Sequence, residues 1–244
     1  MPTLDGKTAV ITGASAGIGE ATARTLVAAG AHVVIQARRK DRVEKLAREL
    51  GRATALAGDA ADTAHLDQLL DTAKKITGKI DIVIINAGRG LAGGVLSSDD
   101  KQWRELYETN VMGAAHLLRR AGQIMVQQKS GDIIMVGSCV GHNISPFSGF
   151  YGSTKWAVWS MAEAARREIC AHGVRVTTIK PAIVVSEFQD VSGYTEENFY
   201  KNIRRFGKLL DPGDVARTIA FVVSQPQHVH INELVIRPTG QDYP

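Results

Sequence analysis

The sequence predicts an α/β fold, in which helices cover both faces of a parallel sheet, and three observations support it. Short β-rich runs alternate with helical segments along nearly the whole chain, a pattern typical of parallel sheets. The first β-rich run leads into a glycine turn and then a helix. The length of 244 residues suits one such domain. Since no repeat, linker or low-complexity segment marks a second unit, residues 1–244 are predicted to form a single domain.

Each predicted element follows from its residues. Runs rich in Val, Ile and Thr predict strands, at residues 7–12, 31–37, 52–58, 81–85, 132–137, 174–180 and 231–238. Longer segments of helical composition predict helices, at residues 20–30, 41–50, 62–76, 99–128, 150–169 and 214–224. The stretch at 187–210 fits neither pattern. Long irregular segments in compact domains are often functional, so this stretch is predicted to be a substrate lid.

Composition excludes several classes of protein. Hydrophobic residues make up 44% of the chain and charged residues 22%, as in ordinary globular proteins. The net charge of +4 is small and dispersed, which argues against a nucleic-acid partner. Cys139 and Cys170 lack metal-ligand spacing, and no metal is expected. No apolar run approaches the roughly 20 residues that span a bilayer, and the start of the chain lacks a signal-peptide pattern. We therefore expect a cytoplasmic protein without a membrane role.

The first strand-to-helix turn carries three glycines, Gly13, Gly17 and Gly19, in the order T-G-x-x-x-G-x-G. Glycines let the backbone turn tightly and approach a pyrophosphate, whose charge the N-terminus of the following helix can meet. Three glycines alone also fit a plain tight turn. Their position directly after the first predicted strand favours dinucleotide binding.

The end of the second predicted strand is basic. Arg38 and Arg39 follow it, and no acidic residue is present there to bind an adenosine 2′-hydroxyl group. A guanidinium group at this place can bind a 2′-phosphate with two hydrogen bonds, although a basic helix start without a ligand has the same appearance. The pattern favours NADP(H).

A possible catalytic centre lies between residues 138 and 155. Tyr151 and Lys155 are four residues apart on a predicted helix, so both side chains share one face. A nearby ammonium group is expected to lower the tyrosine pKa from its usual value of about 10. Ser138 follows a predicted strand, at the sheet edge where open α/β folds bind ligands. A tyrosine and a lysine at this spacing are more often a solvated helix edge, so the rest of the chain must decide.

Taken together, these motifs resemble those of the short-chain dehydrogenase/reductases, over nearly the whole chain. The matching residues occur in the family's order and spacing: Thr12, Gly13, Gly17, Gly19, Asp59, Asn86, Ala87, Gly88, Asn110, Ser138, Tyr151 and Lys155. The resemblance implies a Rossmann-type, doubly wound sheet of seven parallel strands. Three positions differ from the common family pattern, namely Ile85, Ala182 and Ser186, and they affect the expected pose of the nicotinamide.

The resemblance also implies roles for individual residues. Tyr151 would transfer the proton, Ser138 would orient the substrate oxygen, Lys155 would lower the tyrosine pKa and bind the ribose, and Asn110 would hold a water in a proton relay. Asp59 would bind the adenine ring. The remaining implied cofactor contacts are Gly13, Ser15, Gly17, Ile18, Gly19, Arg38, Arg39, Ala60, Asn86, Ala87, Gly88, Pro181, Val184 and Ser186, with Tyr151 and Lys155.

The function expected from this resemblance is NADP(H)-dependent transfer of a hydride to or from a carbonyl or alcohol carbon of a small polar substrate. Within the family, the chain is similar to NADPH-dependent reductases of the clavulanate and hydroxy-acid kind. A catalytically idle dinucleotide-binding redox sensor is the alternative, and the complete set of proton-relay residues argues against it. The family's extended epimerases and dehydratases carry an added substrate domain, for which 244 residues leave no room.

Substrate contacts are expected from Ser138, Tyr151, His142 and Asn143, the last two because they follow Ser138 on the same loop; a solvated loop is equally consistent with them. In the lid, aromatic residues alternate with cations: Phe188, Tyr194, Phe199, Tyr200, Phe206, Lys201, Arg204, Arg205 and Lys208. The aromatic side chains would close over the substrate. The cations would favour an anionic substrate, although such charges more often form a solvated helix face.

A homo-oligomer, most simply a tetramer, is expected from the helix that carries the catalytic pair. Trp156 and Trp159 fall on a stripe turned away from the Tyr151 and Lys155 face. Each tryptophan buries about 150 to 250 Å² when covered, and such anchors are enriched at interfaces. The alternative is that the helix predicted at residues 100–128 of the same chain covers them.

Overall fold

A computed structural model gives the fold and describes residues 3–243, except for the side chain of Asn198. Seven parallel strands form one sheet in the order β3-β2-β1-β4-β5-β6-β7. The strands are β1 (Thr8–Thr12), β2 (His32–Ala37), β3 (Ala53–Ala57), β4 (Ile82–Ile85), β5 (Gly131–Val136), β6 (Val174–Pro181) and β7 (Glu233–Ile236). The predicted doubly wound fold, with its seven-stranded parallel sheet, is confirmed.

The helices connect successive strands and pack on both faces of the sheet. Their bounds are α1 (Gly17–Ala28), α2 (Lys40–Leu50), α3 (Thr63–Thr77), α4 (Trp103–Tyr107), α5 (Ala114–Gln128), α6 (Gly149–Ile169), α7 (Phe188–Val191), α8 (Lys201–Ile203) and α9 (Pro212–Val223). One apolar core lies between the sheet and α1, α2 and α9, and the other lies between the sheet and α3, α5 and α6. Strands covered on both faces explain the nearly continuous apolar runs in the sequence.

The sheet order creates a crevice at the carboxyl ends of β1 and β4. The chain winds outward from β1 to β3, then returns to place β4 on the other side of β1. Loops that follow the strands therefore diverge at this point, where open α/β sheets bind ligands.

The helix predicted at residues 99–128 is interrupted. The turn Glu108–Gly113 between α4 and α5 is π-helical, and it contains the fully buried Asn110. Single π-helical turns inside α-helices often occur at functional sites. The interruption brings the Asn110 side chain to the loop after β4, as described below.

The two ends of the 187–210 stretch lie close together. Val184 and Leu210 form an isolated parallel bridge, and the Val185 amide donates to the Leu210 carbonyl at 2.9 Å. Immediately afterwards Asp211 and Asp214 form a capping box that starts α9, with Pro212 in its first turn. The stretch predicted to be a lid therefore leaves and rejoins the fold at one place.

Candidate active site

A cavity of about 920 Å³ runs along the carboxyl ends of the strands. It brings most of the predicted site residues together: Gly13, Ser15, Gly17, Ile18, Arg38, Arg39, Asp59, Ala60, Asn86, Ala87, Gly88, Ser138, Tyr151, Lys155, Pro181, Val184 and Ser186. Four predicted residues are not part of its lining, namely Gly19, Asn110, His142 and Asn143. The cavity continues from the basic end of β2, past the glycine turn, to Ser138 and Tyr151.

The glycine turn is shaped for close backbone packing. Gly13 has a φ of +69°, which glycine adopts without strain. A Cβ atom on Gly19 would lie 2.3 Å from the Gly13 carbonyl oxygen, so Gly19 lets α1 start against the turn and does not face the cavity. Asn86 Nδ2 donates to the Thr12 carbonyl at 2.9 Å and to the Gly13 carbonyl at 3.3 Å. The end of β4 thus holds the turn in place.

This cradle fits a nicotinamide dinucleotide. The turn leads into the N-terminus of the 12-residue helix α1, where free N–H groups and the helix dipole favour a pyrophosphate. A Cβ atom on Gly13 would lie 2.9 Å from the Ala87 backbone, so only glycine lets the ends of β1 and β4 approach this closely. Asp59 and Ala60 line the wall beyond β3.

The basic end of β2 is more highly ordered by ion pairs than its sequence indicates. Arg39 donates from Nε and Nη2 to Ser15 Oγ, at 3.0 and 2.9 Å, and from Nη1 to Glu187 at 2.6 Å. Arg38 is more exposed and lies 3.8 Å from Glu105. Of the two arginines, Arg39 is the one bound to the glycine turn. The pairing of Glu187 and Glu105 with these arginines has no local signal in the sequence, because the partners lie far apart along the chain.

Tyr151 lies in the buried wall of the cavity, with 8% of its surface exposed. Burial raises the pKa of its phenol far above the usual value, and Tyr194 adds to the rise, whereas a hydrogen bond with the Ser138 side chain lowers it. The phenol is therefore protonated at neutral pH. The Phe188 ring from the lid packs 5.7 Å away from the Tyr151 ring, measured between centroids.

Lys155 is buried beside Tyr151 and has a shifted pKa of its own. Its ammonium group donates to the Val136 carbonyl at 3.0 Å and lies 5.8 Å from the centre of the Tyr151 ring. Burial lowers the pKa of Lys155 to about 8. In this structure burial dominates the pKa of Tyr151 and raises it, so the predicted lowering by Lys155 is not seen.

Asn110 lies behind the cavity wall and hydrogen-bonds to residues of the loop and helix in front of it. Its Oδ1 accepts from the Arg89 amide at 2.9 Å, and its Nδ2 donates to the Arg89 carbonyl at 2.9 Å and to Thr154 Oγ1 at 3.1 Å. The side chain thereby fixes the loop after Gly88 to α6. Its predicted part in a water relay stays a prediction.

His142 and Asn143 do not line the cavity, contrary to expectation. They follow the short 3₁₀ turn Cys139–Gly141, which carries the chain away from the cavity. His142 Nδ1 lies 3.4 Å from Nζ of the buried Lys180, which donates to Glu233 at 2.8 Å. His142 thus belongs to a polar cluster on the other side of the wall.

The stretch at residues 187–210, predicted to be a lid, supplies much of the remaining wall. Its lining residues include Phe188, Tyr194, Phe199, Lys201, Arg205 and Phe206, while Tyr200 bonds to Asp190 and Arg204 pairs with Glu196. Further lining residues that no motif predicted include Ser145, Phe147, Ser148, Asn202 and Tyr243. Ser145, Phe147 and Ser148 lie in the loop before α6, and their closeness in sequence to Tyr151 was the available signal. Across residues 3–243, no cluster of three or more metal-ligating side chains occurs.

Comparison with known protein families matches residues 7–197 to the short chain dehydrogenases. The chain belongs to this family. It is 31% identical over 240 residues to an uncharacterized oxidoreductase of Staphylococcus aureus (strain N315), covering 98% of this chain and all of the relative. Membership makes the chain an oxidoreductase that uses a nicotinamide dinucleotide, as the resemblance predicted.

Solved structures of family members are closely similar. A serine dehydrogenase in a closed form with NADP⁺ has a TM-score of 0.87 and 30% identity, with 97% of this chain and 96% of that one covered. An alcohol dehydrogenase from Thermococcus sibiricus with 5-hydroxy-NADP has a TM-score of 0.85 and 27% identity, with 98% and 99% covered. A 3-ketoacyl-(acyl-carrier-protein) reductase from Brucella melitensis with NADH has a TM-score of 0.88 and 26% identity, with 98% and 99% covered. The oxidoreductase thus shares its fold with proteins that bind either dinucleotide.

No helix formed by the described residues is both long enough and apolar enough to span a bilayer.

Proposed function

We propose that this oxidoreductase moves a hydride between NADP(H) and a carbonyl, secondary alcohol or primary alcohol carbon of a small polar substrate, with Tyr151 as general acid or base. The observation that carries the proposal is the position of Tyr151. Its phenol lies with Ser138 in the buried part of the cavity whose other end is lined by the glycine turn and Arg39. Proton transfer and cofactor binding then share one enclosed space.

The side chains divide the chemistry among them. A bound nicotinamide supplies or accepts the hydride. Tyr151 is protonated at neutral pH, as any phenol with an ordinary or raised pKa is, and its place in the cavity suits it to protonate a carbonyl oxygen as general acid. Ser138 orients that oxygen by a hydrogen bond. Lys155 has a pKa of about 8 and is mostly charged at pH 7, which favours negative charge developing on the oxygen.

The substrate class is supported by the lid. Phe188, Phe199 and Tyr194 give the cavity an apolar wall, and Lys201 and Arg205 add positive charge to its lining. Arg205 forms an ion pair with Asp242 at 2.9 Å. Lys201 is therefore the lid cation that is more available to a substrate anion. The similarity to a serine dehydrogenase supports hydroxy acids and small polar carbonyl compounds as the first candidates.

The test is to mix the protein with NADPH and a panel of small carbonyl compounds, and in the reverse direction NADP⁺ with hydroxy acids including serine, while following nicotinamide absorbance. We expect turnover with at least one compound, and its loss by at least about a hundredfold in Tyr151→Phe. NADPH affinity should stay nearly unchanged in this variant, because only the transferable proton is removed. Tight NADPH binding without turnover on any compound would support the idle sensor instead.

Cytoplasmic location and a homotetramer complete the proposal. Trp156 is 39% exposed on α6 and packs edge-on against Trp159 at 5.8 Å. Within the chain, Trp159 is covered by Glu233, which accepts its Nε1 hydrogen at 2.7 Å, and by Lys180, whose ammonium lies 4.8 Å from its ring centre. Trp156 is therefore the stronger candidate for an interface anchor.

A further inference from the structure

The carboxylate of Glu187 lies between two guanidinium groups at the adenosine end of the cavity. It accepts from Arg39 Nη1 at 2.6 Å and from Arg42 Nη1 at 2.7 and 2.9 Å. These residues are far apart in sequence, since the arginines follow β2 and Glu187 follows β6. The two arginines hold the pKa of Glu187 below its ordinary value, so the group is an anion at neutral pH.

The remaining edge of the Arg39 guanidinium is also occupied. Its Nε and Nη2 both donate to the hydroxyl of Ser15, in the glycine turn. Ser15, Arg39 and Glu187 all line the cavity. A hydroxyl group and a guanidinium group side by side form a site for an anion, and in this structure the anion beside them is a side chain of the protein itself.

Glu187 is also the first residue of the lid. The next residue, Phe188, packs against the Tyr151 ring, and Ser186 before it lines the cavity. The ion pair with Arg39 therefore joins the adenosine end of the site to the segment that covers the proton-transfer group.

We propose that Glu187 is an internal competitor for the 2′-phosphate of NADP(H), and that it sets how strongly the enzyme prefers NADP(H) to NAD(H). The proposal rests on the proposed use of NADP(H). A phosphate monoester carries a charge of about −1.5 to −2 at pH 7 and binds guanidinium groups through paired hydrogen bonds. It repels a carboxylate on the same guanidinium group. Glu187 must therefore release Arg39 when the phosphate binds, while Arg42 can retain it.

A dinucleotide without the 2′-phosphate does not have this conflict, because a ribose hydroxyl is uncharged. Glu187 thus weakens the binding of NADP(H) and leaves that of NAD(H) nearly unaffected. By thermodynamic linkage, binding of the 2′-phosphate and formation of the Glu187–Arg39 ion pair weaken each other by the same factor. A ligand that displaces Glu187 from Arg39 must also loosen the attachment of the lid at residue 187.

The experiment compares Glu187→Gln with Glu196→Gln. Both variants remove one negative charge from the lid, but Glu196 pairs with Arg204, away from the adenosine end. Both glutamates are largely exposed, so both variants are expected to fold. Titration calorimetry would give Kd values for NADPH, NADH, 2′,5′-ADP and 5′-AMP with the wild type and each variant.

We expect Glu187→Gln to lower the Kd of NADPH and of 2′,5′-ADP by about three- to fivefold, the upper part of the range for exposed charge interactions. The Kd values of NADH and 5′-AMP should stay within about twofold, as should all four values in Glu196→Gln. An unchanged or higher Kd for 2′,5′-ADP in Glu187→Gln would overturn the proposal. In that case a wild type that still prefers NADPH would leave the proposed function intact.

The opposite failure is recognisable as well. If neither the wild type nor Glu187→Gln distinguished 2′,5′-ADP from 5′-AMP, the proposed use of NADP(H) would be wrong. The proposed competition by Glu187 would then be wrong as well. A second readout tests the lid, in which trypsin can cut after Lys201, Arg204 and Arg205. Cleavage there should be faster with 2′,5′-ADP than with 5′-AMP in the wild type, and equal rates would show that Glu187 does not tether the lid.

Discussion

Asn110 and Arg89 are joined by two hydrogen bonds that copy the pairing of a β-ladder. The Arg89 amide donates to Asn110 Oδ1, and Asn110 Nδ2 donates to the Arg89 carbonyl, each at 2.9 Å. A side chain in the π-helical turn thereby satisfies the backbone of a loop that has no strand beside it. Buried backbone groups without partners are costly, so this pair stabilises the loop that follows Gly88.

Asn110→Ala removes both partners of the Arg89 backbone and the hydrogen bond to Thr154. We expect the free energy of unfolding to fall by about 1 to 3 kcal/mol and turnover to fall with it. Urea unfolding followed by circular dichroism measures the first effect. A variant as stable as the wild type would show that water replaces the amide.

Stability should depend on pH through Lys155. The folded pKa of about 8 lies below the ordinary 10.5, so between these values the unfolded chain binds more protons than the folded one. The free energy of unfolding therefore rises with pH across this window. Below pH 8 the contribution of Lys155 makes it roughly 3 kcal/mol lower than above pH 10.5. Tyr151 and Cys139 have raised pKa values and act in the opposite direction above about pH 9.

The contribution of Lys155 is isolated by subtracting the stability of Lys155→Met from that of the wild type at each pH. The difference should grow from pH 8 to pH 10.5 in favour of the wild type. Denaturant unfolding at half-unit intervals measures it. A difference that stays flat would mean that Lys155 titrates normally.

The two arginines after β2 should differ in importance. Both line the cavity, but Arg39 hydrogen-bonds to Ser15, whereas Arg38 is 66% exposed and pairs at 3.8 Å with Glu105. We expect Arg39→Gln to raise the Kd of NADPH by about ten- to a hundredfold, with little change for NADH. Arg38→Gln should have the smaller effect, and equal effects would indicate that both bind the phosphate.

Two helical glycines should respond in opposite ways to alanine. A Cβ on Gly19 would lie 2.3 Å from the Gly13 carbonyl oxygen, whereas one on Gly122 would meet only Ile169 Cδ1, at 3.5 Å. We expect Gly19→Ala to destabilise the fold by about 1 to 3 kcal/mol and to impair dinucleotide binding. Gly122→Ala should be neutral or stabilise by up to about 1 kcal/mol. Thermal melting with and without NADPH compares them.

The interface prediction depends on Trp156. If α6 forms a subunit contact, Trp156→Glu should lower the molar mass measured by light scattering without unfolding the chain. A monomeric wild type would contradict the predicted oligomer. An unchanged mass in the variant would place the contact on another surface.

The fold and the central site were predictable because their signals are local or regular. Apolar runs mark the strands, and Gly13, Tyr151 and Lys155 occur in motifs whose spacing places them near one sheet edge. The π-helical turn at Asn110 has no such signal, because its stability comes from contacts with Arg89 and Thr154 in other elements. The effect of burial on the tyrosine and lysine pKa values has no local signal either, since spacing reveals proximity but not burial.

Loop residues were the least predictable. His142 follows Ser138 by only four positions, yet one 3₁₀ turn between them directs it to Lys180 instead of the cavity. Glu187 illustrates the converse case, in which a residue without any motif meets Arg39 across the fold. In both cases the outcome depends on where the chain returns, which a local pattern does not encode.

The bridge between Val184 and Leu210 has an evolutionary consequence. Since the ends of the 187–210 stretch already meet, inserting or deleting residues between them is expected to leave the sheet and α9 in place. Closing a flexible loop of twice the length costs only about 0.6 kcal/mol more. A segment attached in this way can change in length and composition, and alter the substrate end of the cavity, without moving the strands at its dinucleotide end.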